Sequence, residues 1–142
     1  MKKLIAVVLG LLFCLAGLGA ERLRIKVEGN STHYNQIRII NKTDYAKFKC
    51  DLYILEEADG KTYVKESLGS CDLKGFNDDD TCTFVSNLYR GALVGVELPG
   101  DMTNINYSLD DDEGVFIDTL EIILGSGSDK NPVGKKSLGR EF

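Results

Sequence analysis

Clusters of acidic residues are the part of this sequence best suited to chemistry. The stretch SLDDDEGVFID at 108–118 places four consecutive acids and a glycine between two apolar segments, and FNDDDTC at 76–82 is similar. Calcium takes about 6 to 8 oxygen ligands at flexible geometry, which clustered carboxylates on strand ends can supply. The alternative is a solvated hairpin turn without a ligand, and the residues favour this alternative. An EF-hand is excluded, because aligning Gly114 with the invariant glycine of that loop puts leucines at its first and last ligand positions.

Catalytic groups are scarce. His33, in the polar stretch NSTHYN, is the only histidine of the chain. A serine or cysteine nucleophile needs a histidine base within reach, and a zinc site needs further nitrogen or sulfur ligands. No glycine-rich phosphate loop follows a strand and opens a helix. We therefore expect His33 to be a surface residue and the protein to be no enzyme, with calcium as the one cofactor that the sequence suggests.

Three cysteines follow the N-terminal segment: Cys50, Cys71 and Cys82. In an oxidising compartment they allow one internal disulfide and leave one thiol. We predict a Cys71–Cys82 disulfide, because these two residues flank the second acidic loop and closing it would stabilise the fold by about 3 kcal/mol. The alternative is that all three are small buried apolar residues, since each lies in phase with inward-facing neighbours.

The alternation of apolar and polar residues predicts the elements that hold these groups. RLRIKV at 22–27 and AKFKCDLYIL at 46–55 show the period of two that is typical of half-buried strands. ADGK at 58–61 carries the Asp-Gly pair of a two-residue hairpin turn. Further strands are predicted at 36–40, 62–68, 70–74, 81–86, 91–98, 104–109 and 115–124. Short strands without a helical period predict an all-β fold: a single antiparallel β-sandwich, C2-like or immunoglobulin-like, with about eight strands. Its predicted central core residues are Val94, Val96 and Leu98.

The two ends of the sequence differ in composition from the rest. MKKLIAVVLGLLFCLAGLGA at 1–20 places two lysines before an apolar run and ends on small residues, as secretory signal peptides do. We expect a signal peptide over 1–20, a β-sandwich domain over 21–124, and a flexible tail over 125–142, which is rich in glycine, serine and charge. Lipid attachment at Cys14 is less favoured, because leucine and phenylalanine precede it where that processing needs small residues.

The charge of the chain bears on its partners. It carries 17 basic and 22 acidic residues, for a net charge of −5. Such a balance argues against nucleic acid as a partner. No stretch is long and apolar enough for a transmembrane span. Because of the predicted signal peptide, we expect a protein secreted to the periplasm or the cell exterior.

Three of the acids have the spacing of a known calcium loop. Asp110, Asp112 and Asp118 follow the pattern D-x-D-x5-D, and TDYAKF at 43–48 and FNDDDTCTF at 76–84 are similar to two other segments of the same family, the C2 domains. The resemblance implies an eight-stranded sandwich that holds calcium through four residues: Asp44, Asp110, Asp112 and Asp118. Arg38 stands where that family has a further aspartate, and we expect its cation to pair with these acids.

A second resemblance rests on turn motifs. The segments IRIINKTDY, LYRGALVGVELPG and YSLDDDEGVFIDTLEI look like those of small, signal-bearing bacterial β-sandwich proteins. The shared elements are an Asn-x-Thr turn, an L-x-x-G strand entry and a Tyr-strand-Asp-x-x-Gly hairpin. This resemblance implies a fold rather than an activity.

Counting the predicted strands assigns the acids to the two ends of the sandwich. If every connection reverses the chain, Asp44 and Asp110–Glu113 fall at one end, and the second acidic cluster falls at the other with Asp59 and Asp101. We expect a secreted, monomeric binding or interaction protein with an unknown protein or glycan partner. The alternatives are a calcium-dependent C2-like module that binds lipid or carbohydrate, and a periplasmic enzyme inhibitor acting through the loop at 71–82.

Overall fold

In the part of the chain that the structure describes, all regular secondary structure is β-strand. The computed structural model describes residues 21–74, 80–102, 104–113, 117–125 and 142, so the predicted signal peptide at 1–20 lies outside the described residues. The strands are β1 (Glu21–Lys26), β2 (His33–Asn41), β3 (Lys47–Ala58), β4 (Lys61–Lys74), β5 (Thr81–Tyr89), β6 (Leu93–Leu98), β7 (Tyr107–Glu113) and β8 (Asp118–Leu124). No helix in this part of the chain is long and apolar enough to cross a membrane.

Two four-stranded sheets pack face to face, which confirms the predicted β-sandwich. Sheet A has the strand order β1-β6-β3-β4, and sheet B has the order β5-β2-β8-β7. Every connection reverses the chain, and all neighbouring strands are antiparallel except one pair. β2 and β8 run parallel in the centre of sheet B, with Ile37 beside Leu120 and Ile39 beside Ile122. The parallel pair arises because an even number of reversals separates these two strands.

The core follows from the alternation within the strands. On β3, Phe48, Cys50 and Leu52 face inward, and each is less than a tenth exposed. The predicted central residues of β6 are confirmed, since Val94 and Val96 are fully buried and Leu98 nearly so. Fully burying one such side chain contributes about 1.5–3 kcal/mol, so the two inner faces supply most of the stabilisation of this small domain.

β4 is one strand where two were predicted. It runs through Gly69, which has a positive φ of 113°, without a reversal of the chain. Its pairing with β3 slips between Leu52 and Tyr53 and again between Ile54 and Leu55, as at β-bulges. The chain therefore reverses direction one time fewer than the predicted strands imply. The predicted Asp-Gly turn at the other end of β4 is confirmed, since Asp59 and Gly60 have positive φ angles of 54° and 76°.

This strand count decides which loops share an end of the sandwich. The Asp59 end, as we call it, holds the β3–β4 turn, the β1–β2 loop, the β5–β6 loop and the close of β7. The Asp44 end holds the β2–β3 loop, Asp80, Asp101 and Gly125. The expectation that Asp44 lies at the same end as Asp110–Glu113 is therefore wrong, because the bulged strand β4 replaces two strands and a turn.

The Asn-x-Thr motif forms the turn at the Asp44 end. Asn41 is buried, and its side-chain oxygen accepts a hydrogen bond from the backbone N–H of Thr43 at 2.9 Å. Its side-chain amide donates to the carbonyl of Tyr45 at 2.9 Å. These bonds replace the strand ladder at the point where β2 ends, so the motif has a structural role here.

Candidate functional site

The acids of the stretch 108–118 lie on a strand. β7 continues to Glu113 and pairs with β8, so that Asp110, Asp111 and Asp112 face Glu121, Leu120 and Thr119. The interpretation of this stretch as a turn is therefore wrong for these three aspartates. Residues 114–116 lie outside the described residues. Because side chains alternate along a strand, the three aspartates divide between the two faces of sheet B.

Asp111 faces inward and joins β7 to the β1–β2 loop. Its carboxylate accepts hydrogen bonds from the hydroxyl of Tyr34 and, at 2.6 Å, from the backbone N–H of Asn30. Gly29 lies against both groups, and a Cβ atom there would clash with the Tyr34 hydroxyl and the Asp111 carboxylate. Asp111 thus satisfies the polar end of a fully buried tyrosine and closes the Asp59 end.

Asp112 faces outward and belongs to a charge network across sheet B. Arg38 on β2 contacts Glu121 on β8 at 2.9 Å and Asp112 on β7 at 3.3 Å. The expected pairing of Arg38 with the acids is thus observed. Asp110 is the register partner of Glu121 and is exposed. The Arg38 guanidinium thus pairs with one carboxylate on each of the strands β7 and β8.

The four aspartates that the C2 resemblance implies as calcium ligands lie in two places. Asp110, Asp112 and Asp118 belong to neighbouring strands near the Asp59 end. Asp44 lies beyond Asn41, whose partner is Leu124 at the far end of β8. The length of β8 separates them by roughly 20 Å at about 3.3 Å per residue. Among the described residues, no three His, Cys, Asp or Glu side chains are grouped so that they could hold a metal ion.

The second acidic cluster is described only at Asp80. Its carbonyl accepts the backbone N–H of Asn41 at 2.8 Å, and its carboxylate lies 3.5 Å from the Lys42 ammonium. Asp78 and Asp79 lie outside the described residues. Asp80 stands at the Asp44 end, so it does not converge with the aspartates of β7.

The three cysteines that the structure describes lie close together on β3, β4 and β5. The predicted disulfide between Cys71 and Cys82 is confirmed, with an S–S distance of 1.97 Å and a Cα–Cα distance of 6.4 Å. It joins β4 to β5, which are edge strands of different sheets. Cys50, the register partner of Cys71, is a buried free thiol whose Sγ lies 3.5 Å from Cys71 Sγ. Burial, with the nearby charges of Asp51 and Asp72, raises the pKa of the Cys50 thiol to about 12.

An exposed apolar row lies on β5. Val85 is 80% exposed and Tyr89 is 67% exposed, and both belong to the outward face of this edge strand. Asn87 lies between them and hydrogen-bonds the imidazole of His33, which packs edge-on against the Tyr89 ring at a centroid distance of 4.9 Å. We call Val85, Asn87 and Tyr89 the β5 row. His33 was predicted to be a surface residue, and it is the partly exposed first residue of β2.

A groove runs beside the β5 row. Its volume is about 380 Å³, and it lies between the edge strands β4 and β5. The apolar side chains that line it are Ile54, Leu68, Val85 and Leu88. The pairing of β5 with β2 slips between Tyr34 and Gln36, opposite Ser86 and Asn87. The sequence did not predict this surface. The alternation of VSNLY at 85–89 is typical of any strand with one face in solvent.

No family model, curated protein or solved structure matches this chain. The β5 row, the groove and the aspartates of β7 are therefore interpreted from their own chemistry. Of these surfaces, the β5 row combines exposed apolar side chains with a sheet edge, and the aspartates of β7 are already engaged in contacts within the fold.

Proposed function

We propose that this chain is a secreted, non-catalytic binding protein that recognises an extended segment of a protein partner along β5. One observation supports this above all: β5 is an edge strand that carries no charged residue from Thr81 to Tyr89 and exposes Val85 and Tyr89. Edge strands are normally protected from pairing with other chains by charged side chains or proline. The other edge strands follow that rule.

The contrast between the four edges is clear from their sequences. β1 reads ERLRIK, β4 reads KTYVKESLGSCDLK and β7 reads YSLDDDE, so each carries several charges. β5 reads TCTFVSNLY. A partner strand added there would gain main-chain hydrogen bonds from the sheet edge and side-chain contacts from Val85 and the adjoining groove. Apolar and aromatic side chains of this kind are enriched where proteins meet.

The disulfide supports the assignment to an oxidising compartment. Disulfides form and persist in secreted and periplasmic proteins and are rare in the cytosol of most organisms. The bond between Cys71 and Cys82 joins β4 to β5, the two edge strands that border the groove. A fixed edge binds an extended segment at a smaller entropic cost than a mobile one.

An array of short extended peptides that alternate apolar and polar residues tests this proposal. We expect peptides that bind the wild-type protein to protect amides of β5 from hydrogen exchange and to lose at least about tenfold in affinity in Val85→Lys. Ile117→Lys is the matched control, because Ile117 is an exposed apolar residue, 44% exposed, just before β8. The proposal fails if no peptide binds, or if Val85→Lys and Ile117→Lys bind the same peptides equally well.

A further inference from the structure

Phe142 is buried on the outer face of sheet A, away from the β5 row. Its side chain is only 7% exposed, although it lies outside the two inner faces of the sandwich. Phe142 belongs to the predicted tail over 125–142, of which residues 126–141 lie outside the described residues. The backbone N–H of Phe142 donates to the carbonyl of Thr62 at 2.8 Å.

The floor of this site is a glycine. Gly95 lies on the outward face of β6, between Arg24 of β1 and Tyr53 of β3 in the register. A Cβ atom at Gly95 would lie 2.6 to 2.9 Å from three atoms of the Phe142 ring, so only glycine allows the ring to reach the sheet. Glycine inside a strand is unfavourable in itself and often marks the close approach of another group.

One wall of the site is the β3–β4 hairpin, which bends over the sheet. The guanidinium of Arg24 donates to the Thr62 hydroxyl at 2.8 Å, although β6 and β3 lie between their strands in sheet A. This contact requires the hairpin to curve back over β6. The two register shifts between β3 and β4 are the bulges at which a strand pair bends. Thr62 is buried as a result, and its carbonyl points to Phe142.

The remaining walls suit an aromatic ring. The Arg22 guanidinium lies 5.5 Å from the ring centroid of Phe142, and the Tyr53 ring packs against it at 6.0 Å with an angle of 60°. Arg22 is held in place by Glu97 at 2.8 Å. A cation above a ring and a tilted aromatic pair are both favourable arrangements. We call this site the Gly95 slot: Gly95, Tyr53, Thr62, Arg22 and Arg24.

We infer that the Gly95 slot is a binding site for an extended peptide that presents a phenylalanine, and that Phe142 occupies it as an intramolecular competitor. The slot has the three features that such a ligand needs: a floor without a side chain, a cation and an aromatic ring around the phenyl group, and a carbonyl that accepts the backbone N–H. Because Phe142 belongs to the same chain, it competes for the slot intramolecularly, and a free peptide must displace it.

A full-length Phe142→Ala variant tests the inference with a defined probe. The probe is a fluorescent peptide of residues 135–142, KKSLGREF, with an amidated end. We expect the variant to bind this peptide and the wild-type protein to bind it at least about tenfold more weakly, because the wild-type slot is filled. Fluorescence anisotropy measures both affinities under the same conditions.

Two controls separate the slot from other surfaces. Gly95→Ala combined with Phe142→Ala places a methyl group where the ring sat and should abolish binding without disturbing the fold, since the three atoms nearest to that methyl all belong to Phe142. The peptide KKSLGREA should not bind. Equal binding to the wild-type and Phe142→Ala proteins, no binding to either, or unchanged binding after Gly95→Ala would each overturn the inference, and none of these results depends on the β5 row.

Discussion

At the scale of single residues, burial distinguishes three cysteines that the sequence pattern does not. Cys50, Cys71 and Cys82 all alternate with inward-facing neighbours, yet only Cys50 keeps its thiol and is fully buried. The other two lie at the edges of the sheets, where their side chains meet across the side of the sandwich. A neutral thiol at Cys50 does not attack the neighbouring disulfide, because the thiolate is the reactive form.

The raised pKa of Cys50 predicts how stability depends on pH. Burial first, and the charges of Asp51 and Asp72 next, raise this pKa from 9.0 to about 12. The folded state then holds the proton more tightly than the unfolded chain, so this contribution to stability is present below about pH 9 and is lost as the pH rises toward about 12. Urea unfolding across this range should give a steeper loss of stability for the wild-type protein than for Cys50→Ala. Parallel curves for the two proteins would contradict this account.

At the scale of the elements, the disulfide cross-links the two sheets at one side of the sandwich. β4 and β5 are edge strands of sheets A and B, and the residues between Cys71 and Cys82 connect one sheet to the other. In the unfolded chain this bond closes a loop and restricts the conformations of the backbone. In the folded state it fixes the spacing between the edge strands β4 and β5.

Removing the disulfide should lower stability by a predictable amount. Closing a loop with a sequence separation of 11 residues contributes about 3 kcal/mol in the chain-entropy model. For a domain of this size we expect Cys71→Ala with Cys82→Ala to melt on the order of 10 °C below the wild-type protein. Calorimetry measures the difference, and Cys50→Ala is the control, because this substitution opens no covalent loop. A double variant that melts within about 2 °C of the wild-type protein would show that the unfolded chain gains little freedom.

The strands that the sequence predicted best are those with an unbroken alternation. The inward residues Phe48, Cys50 and Leu52 needed no tertiary information. The sequence predicted two strands where β4 is one, because a glycine such as Gly69 between two alternating stretches is compatible with either a turn or a bulge. Only the pairing with β3 distinguishes the two. The aspartates of β7 were predicted to lie in a turn, because acidic runs favour turns locally. In the structure they lie on a strand, where two of them contact Tyr34 and Arg38.

At the scale of the whole molecule, the position of Asp44 predicts the response to calcium. A ligand that binds only the folded state at about 100 times its dissociation constant adds about 2.7 kcal/mol, which is a shift of several degrees. Because Asp44 and the aspartates of β7 lie at opposite ends, we expect millimolar calcium, added after EDTA, to leave the melting temperature within about 1 °C, and we expect the magnesium control to do the same. A rise with calcium alone that is lost in Asp110→Asn with Asp112→Asn would instead support a calcium site on β7 and β8.

The parallel pairing of β2 with β8 also sets the order in which the chain can fold. Gln36 and Thr119 are neighbours in the sheet although 83 positions separate them. During synthesis β2 therefore cannot pair with β8 until almost the entire domain has been made. Folds dominated by such distant pairings form slowly. Until then Ile37 and Ile39 stand at an open edge, where a nascent chain is prone to aggregate. A ribosome that stops before Asp118 thus releases a chain that lacks β8, one of the two central strands of sheet B.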